Sequence, residues 1–252
     1  MIKIEDVEVV GIRKAIKGMR NAMNSWEKRD SSLLFCHEII CALCPYESLD
    51  SIECDNKSHF IIGEADMKLC KNLIKAGSPD RKFLRMIHVQ ADVTAPLYWW
   101  KEYDTYKVGT TTNSTSTMHT IHKRDLTIDD FSHEHFWDKT NEVHESIPGY
   151  HGKNSSDYLK DLLKYLNFIR TKFTETKDKA YWWQIIQLLP SSFNQMRTID
   201  LDYETLFSIY RQRKNHKIDE WRDFCKWIET LPYMKEFLGL DEQVEKEKRE
   251  LS

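Results

Sequence analysis

Glycine and proline are scarce in this chain, at eight and six of 252 residues. Collagen-like, low-complexity and disordered architectures are therefore excluded. No apolar run approaches the roughly 18 residues of a membrane-spanning helix, so no membrane partner is expected. An excess of basic charge is also lacking: 37 Lys and Arg face 40 Asp and Glu, for a net charge of -3. Such a chain has no global field to hold nucleic acid. The opening MIKIEDVEVV carries acids where an export signal has basic residues and an apolar stretch, which predicts a cytoplasmic protein. Its six cysteines are then expected as thiols. What the chain does have is aromatic bulk, 12% of residues including eight Trp. With no internal repeat and no linker-like run, residues 1–252 read as a single domain. It has a Cys-rich insertion at about 31–62 and a charged tail from about 241.

Residues 1–17 alternate as a strand would, through Ile2, Ile4, Val7, Val9 and Val10. Met67, Cys70, Leu73 and Ile74 share one face of a helix over 64–76, with Gly77 as its C-cap. Residues 83–94 read as a buried strand or helix, and Pro96 as the N1 residue of a helix. The stretch 108–120 is almost wholly hydroxyl-bearing, which predicts a loop or short strand. The clearest helix covers 155–170: Leu159, Leu162, Leu163, Leu166 and Ile169 recur at 3–4 spacing behind a Ser155-Ser156-Asp157 cap. Further helices are expected over 180–189, stopped by Pro190, and over about 203–213 and 217–230.

Three clusters carry side chains suited to chemistry. Cys36, Cys41, Cys44 and Cys54 lie near His37 and His59. Cys41 and Cys44 have zinc-ligand spacing, but no second pair follows, so no metal is predicted. His133, His135, His144 and His151 lie in a charged stretch without period, which reads as a surface loop. The third cluster pairs the polar loop 107–119 with the helix end Arg211-Gln212-Arg213-Lys214. Cations there answer the helix dipole; brought together with the loop, they would make a donor-rich phosphate pocket.

At this third cluster the chain resembles a known family. PLYWWKEYDTYKVGTTTNSTSTMH is similar to the signature region of the flavin-dependent thymidylate synthases (ThyX). LPSSFNQMRTIDLDYETLFSIYRQRKNHKIDEW resembles their later Leu-Pro and Arg-ended helix, and AGSPDRKFL the short Ser-Pro element before the signature. Residue by residue, much of the signature is replaced. Thr105, Tyr106 and Lys107 occupy the Arg-His-Arg positions. Asn113 and Ser116 match, whereas Ser114, Met118 and His119 replace a Glu, an Arg and a Tyr. Asp202 and Glu204 stand where an Asn and an Arg bind flavin. Arg213 and Glu220 survive.

The resemblance implies an α+β fold, a ThyX-like twisted, mostly antiparallel sheet flanked by helices, assembled as a homotetramer. It implies transfer of a methylene from methylene-tetrahydrofolate to C5 of deoxyuridylate, with FAD reduced by NADPH. Arg213 is then the catalytic residue that polarises the pyrimidine. Ser116, Lys107 and Arg213 bind the nucleotide, and Ser78, Lys107, Asn113 and Ser208 contact FAD; Arg211 and Arg197 offer replacement charge. The alternative left open is a ThyX-fold protein that has lost this activity and binds a nucleotide or serves in assembly or regulation.

Overall fold

The computed structural model describes residues 1–35, 58–137 and 154–241. Cys36, Cys41, Cys44, Cys54, His37, His144 and His151 lie outside them, as do the side chain of His59 and the tail from 242. The elements run β1 (Lys3–Val10), α1 (Ile12–Gly18), β2 (Ser32–Phe35), β3 (Ser58–Ile61), α2 (Glu64–Ala76), β4 (His88–Pro96), α3 (Leu97–Tyr103), β5 (Thr110–Ser114), α4 (Thr117–Thr120), α5 (Ser155–Thr176), α6 (Lys179–Leu188), β6 (Asn194–Asp202), α7 (Tyr203–Arg213), α8 (Asp219–Thr230) and α9 (Met234–Leu238). Four strands form one sheet in the order β1-β4-β6-β5, and β2 pairs with β3 in a second, antiparallel sheet. Helices flank the sheets, and the class is α+β as expected. Among the described residues no helix is long and apolar enough to cross a membrane.

The chain divides into two compact units. One comprises Met1–Lys3, Thr94–Thr105 and Asn113–Arg197; the other comprises Ile4–Val93, Tyr106–Thr112 and Thr198–Ser252. The first is built on the α5–α6 pair. Leu159, Leu163, Leu166 and Ile169 are buried with Ile185, Ile121 and Phe131, and Leu162 packs half-buried at the edge. Lys160 and Lys164 face solvent, and Asp161 is half-exposed. The α5 cap is Asn154, one residue before the expected serines. Its side chain accepts from Asp157 N at 3.0 Å while Asp157 returns a bond to Asn154 N. This is a reciprocal capping box, for which an Asx side chain serves as well as a hydroxyl. In the same unit, Trp99, Trp100 and Tyr103 of α3 bury their rings against one another, with centroids about 5 Å apart.

The second unit carries the other core. Val89, Ala91 and Val93 of β4, and Ile199 and Leu201 of β6, lie buried with Ile12, Ile16, Leu206, Trp221 and Phe224. The opening strand is shorter than expected. Gly11 takes φ +96°, and Ile12 then starts α1. A side chain at Gly11 would meet the Met86 carbonyl oxygen at 2.1 Å, so strand and helix can turn here only with glycine. The alternation also slips by one residue at Asp6, φ +49°, which is why Ile4 is followed inward by Val7 rather than by position 6.

A buried ion pair in this unit has no precursor in the sequence reading. Arg20 and Asp66 meet at 2.5 Å with side chains 5% and 0% exposed. Asp66 also accepts from Ser31 N and Oγ. Asp30 accepts from the N–H groups of Ala65 and Asp66 at the start of α2. Burial pushes the Asp30 carboxyl up, but these N–H bonds and the charge of Arg20 outweigh it and hold it below its ordinary value. Cys70 and Cys225 are buried free thiols, each pushed up to about 12 chiefly by burial, which leaves them unreactive.

Candidate functional site

Helix α7 positions most of the side chains in question. Asp202 caps it, accepting from Thr205 N at 2.7 Å. The loop before β5 is clamped onto this cap. Asp202 N donates to Gly109 O at 3.1 Å, and Thr205 Oγ1 donates to Val108 O at 3.2 Å. Gly109 has φ +72°, and a Cβ there would lie 2.4 Å from both Asp202 Oδ2 and Thr205 Oγ1. Asp202 is therefore spent on holding loop and helix together.

The same loop reaches the far end of α7. The Tyr106 hydroxyl donates to Gln212 Oε1 at 3.1 Å and accepts from Arg213 Nε at 2.9 Å. The Arg213 guanidinium lies over the Trp221 ring at 4.8 Å and near the Tyr106 ring at 5.7 Å. Its Nη1 meets His216 Nε2 at 2.9 Å. Tyr106, just before the polar loop, thus meets the helix end within this unit, and the guanidinium is oriented by the Trp221 ring and by the ring and hydroxyl of Tyr106. Sequence reasoning counted Tyr106 as a lost signature residue. In the fold it is the residue that seats Arg213. The available signal was its place two residues before an obligatory Gly-containing turn, in a chain where Trp221 follows Arg213 by eight positions. Lys107, beside Tyr106, is exposed and has no hydrogen-bond or ionic partner among the described residues.

The start of α7 is different. Glu204 accepts from Arg81 Nε at 2.7 Å, Arg81 Nη2 at 3.0 Å and Ser78 Oγ at 2.9 Å. Both charged side chains are only 14% exposed. Arg85 Nη2 donates to Ser78 Oγ at 2.8 Å, and Arg81 stacks on Phe207 at 4.6 Å. Ser208 Oγ accepts from Gln212 Nε2 at 3.1 Å.

In the other unit, Ser116 and Asn113 are exposed. Ser116 precedes the short α4, and its carbonyl accepts from Thr120 Oγ1 at 2.7 Å. Arg197, expected as replacement charge, is occupied. It pairs with Asp104 at 2.7 Å, donates to Gln195 Oε1 at 3.1 Å and lies 4.2 Å over the Trp100 ring. Several loop hydroxyls are likewise spent on the backbone: Thr110 on Tyr106 O, Thr115 on Met196 O and Thr120 on Ser116 O. The density of donors in this stretch reflects turn-building as much as ligand binding. His133 Nδ1 meets Phe131 O at 2.8 Å, and no metal-holding group of His, Cys, Asp or Glu occurs among the described residues.

These residues do not form a cradle for a flavin dinucleotide in a single chain. Of its four expected contacts, Ser78 is committed to Glu204 and Arg85, and Ser208 to Gln212. The two positions that would bring neutral or basic donors hold carboxylates, Asp202 and Glu204, and the adjacent Arg81 is already neutralised. The remaining cation beside Ser78 is the exposed Arg85. Of the four, Lys107 and Asn113 alone stay open.

No protein-family model matches this chain, and no curated protein matches it in sequence. Its fold does have solved counterparts. A structure of thymidylate synthase X (ThyX) from Helicobacter pylori with FAD and dUMP is similar with a TM-score of 0.60 at 13% identity, covering 94% of this chain and 97% of that one. A second structure of the flavin-dependent thymidylate synthase ThyX from Helicobacter pylori, complexed with FAD and dUMP, gives 0.58 at 12% over the same shares. At this identity the likeness establishes the ThyX-like fold.

Proposed function

We propose that this ThyX-like fold binds a pyrimidine nucleotide, with deoxyuridylate the first candidate. Its residues are Arg213 and Lys107. The observation that carries this reading is the Tyr106 bridge, which joins the Lys107 loop to the Arg213 end of α7. A planar guanidinium held over two rings suits a pyrimidine carbonyl oxygen and stabilises charge that develops on it. Lys107 supplies a mobile point charge for the phosphate. The solved neighbours are complexed with dUMP, which supports the choice of ligand.

The second reading is the full enzyme, in which FAD and NADPH support methylene transfer from methylene-tetrahydrofolate to C5 of deoxyuridylate. The FAD-bound neighbours favour it. The commitment of Ser78, Ser208 and Glu204 weighs against it, so binding without flavin chemistry is the preferred reading. A homotetramer fits either reading. Tyr165 and Phe168, one turn apart on α5, are each about half-exposed, at 51% and 57%, and a partner chain would cover them. The buried thiols support a reducing, cytoplasmic setting.

Calorimetric titration with deoxyuridylate tests the binding. Wild type should bind, with affinity falling as salt rises. Lys107→Ala touches no packing and should weaken binding about tenfold or more, the loss of one charge-assisted contact of about 1.5–3 kcal/mol. Equal affinities, or no binding by wild type, reject the reading. Purified protein with the visible absorbance of flavin would move preference to the full enzyme.

A further inference from the structure

A second basic site lies on the other face of α7. Phe207, Tyr210, Arg211 and Lys214 recur at helical spacing and line one side of a cleft of about 630 Å³, closed by α2 and α9. Ser208 and Gln212, bonded to each other, lie on a different face of the helix, the one that meets Tyr106. The cleft is thus separate from the Tyr106–Arg213 region, although both belong to one helix.

Its charge is strongly one-sided. Lys71, Lys75, Arg211 and Lys214 line it against a single carboxylate, Glu236. Lys71 is spent on Asp241 at 2.6 Å. Lys75, Arg211 and Lys214 are exposed and have no carboxylate partner among the described residues. Both α2 and α7 end here, and each C-terminus carries roughly half a negative charge, which accounts for part of the basic content. Three free cations exceed that need. The cleft's accessible apolar share comes from Ile74, Leu238 and Leu240, each partly exposed; Phe207 and Phe237 are buried, and the Phe207 ring carries Arg81 at 4.6 Å and Arg211 at 5.6 Å. The volume falls within the range of small-ligand pockets, and polar groups make up most of the exposed lining.

We infer that this cleft binds a small organic phosphate, a phosphomonoester with an aromatic or aliphatic body. Arg211 offers a two-pronged donor to the phosphoryl oxygens, Lys75 and Lys214 neutralise its charge, and the partly exposed Ile74, Leu238 and Leu240 take the body. The inference is independent of the nucleotide reading above, because it uses neither Lys107 nor Arg213.

The probes are phenyl phosphate and inorganic phosphate, titrated into the full chain by calorimetry. Phenyl phosphate should bind saturably, more tightly than inorganic phosphate, and more weakly as salt rises. The double variant Arg211→Ala with Lys214→Ala alters exposed side chains only and should lose at least about tenfold in affinity for phenyl phosphate. Lys107→Ala should leave phenyl phosphate binding unchanged. Absence of saturable binding, equal binding by wild type and the double variant, or equal affinity for the two probes overturns the inference. If Lys107→Ala abolishes phenyl phosphate binding and the double variant does not, the phosphate belongs to the nucleotide site and this cleft is a solvated helix end.

Discussion

The two ends of α7 each hold an arginine over an aromatic ring, and they do so by opposite means. At its start, Arg81 stacks on Phe207 and is neutralised by Glu204, which also takes Ser78. At its end, Arg213 lies on Trp221, and its partners include a phenol and an imidazole. The start pairs its guanidinium with a carboxylate, and the end sets its guanidinium on an aromatic ring beside a phenol and an imidazole. The first arrangement ties one segment of chain to another. The second fixes the plane of a group that recognises flat, oxygen-bearing ligands. One end of the helix is committed to tying chain segments together, and the other is the end proposed to bind the nucleotide.

The largest expected effect comes from removing the seat itself. Trp221 is fully buried and contacts Phe224 as well as Tyr106. Trp221→Ala should cost about 3–5 kcal/mol, as large-to-small changes at packed aromatic sites do. Urea unfolding of wild type and variant measures it. A loss under about 1 kcal/mol would mean that the ring contributes little packing and that the seat is superficial.

A middle effect is expected at the other end. Glu204→Gln keeps the volume and removes the charge, leaving Arg81 half-satisfied at low exposure. It should cost about 1–3 kcal/mol and should leave deoxyuridylate affinity unaltered. Pairing it with Arg81→Met in a double-mutant cycle isolates the pair, since two apolar or neutral partners of similar shape recover part of the loss. Should Glu204→Gln instead raise affinity for an anionic ligand, the start of α7 is itself a masked anion site, and the contrast between the two ends is one of degree.

How legible this was in the sequence follows the same division. Helices whose identity rests on apolar spacing were readable, because burial enforces the period: Leu159, Leu163, Leu166 and Ile169 fall inside as their intervals require. Pro96 was placed at N1 and is found one residue earlier, as the extended cap of α3. Loop and pocket were readable only as composition. Nothing in local spacing reveals that Gly109 faces Asp202, or that Asp66 meets Arg20 forty-six residues away in chain number. Long-range polar pairing has no period. It also inverts the value of a residue: Ser78 looks like a free donor in sequence and is saturated in the fold.

The smallest effect discriminates most sharply. Tyr106→Phe keeps the ring against Trp221 and deletes one oxygen, which accepts from Arg213 Nε and donates to Gln212. Stability should fall by only about 0.5–1.5 kcal/mol, the net worth of a hydrogen bond. Deoxyuridylate affinity should fall by a similar free energy, about three- to tenfold, because Arg213 keeps its seat but loses the bond that sets its tilt. Ser78→Ala is the matched control at the opposite end. It also deletes one oxygen and two hydrogen bonds, to Glu204 and from Arg85, so its stability cost should be alike, while nucleotide affinity stays at the wild-type value. If both variants lose affinity equally, the loss is general softening of α7 and not a matter of how Arg213 is held. If neither does, the Tyr106 bridge has no part in binding, and the aromatic seat must be read as structure, like the ion pair at the other end.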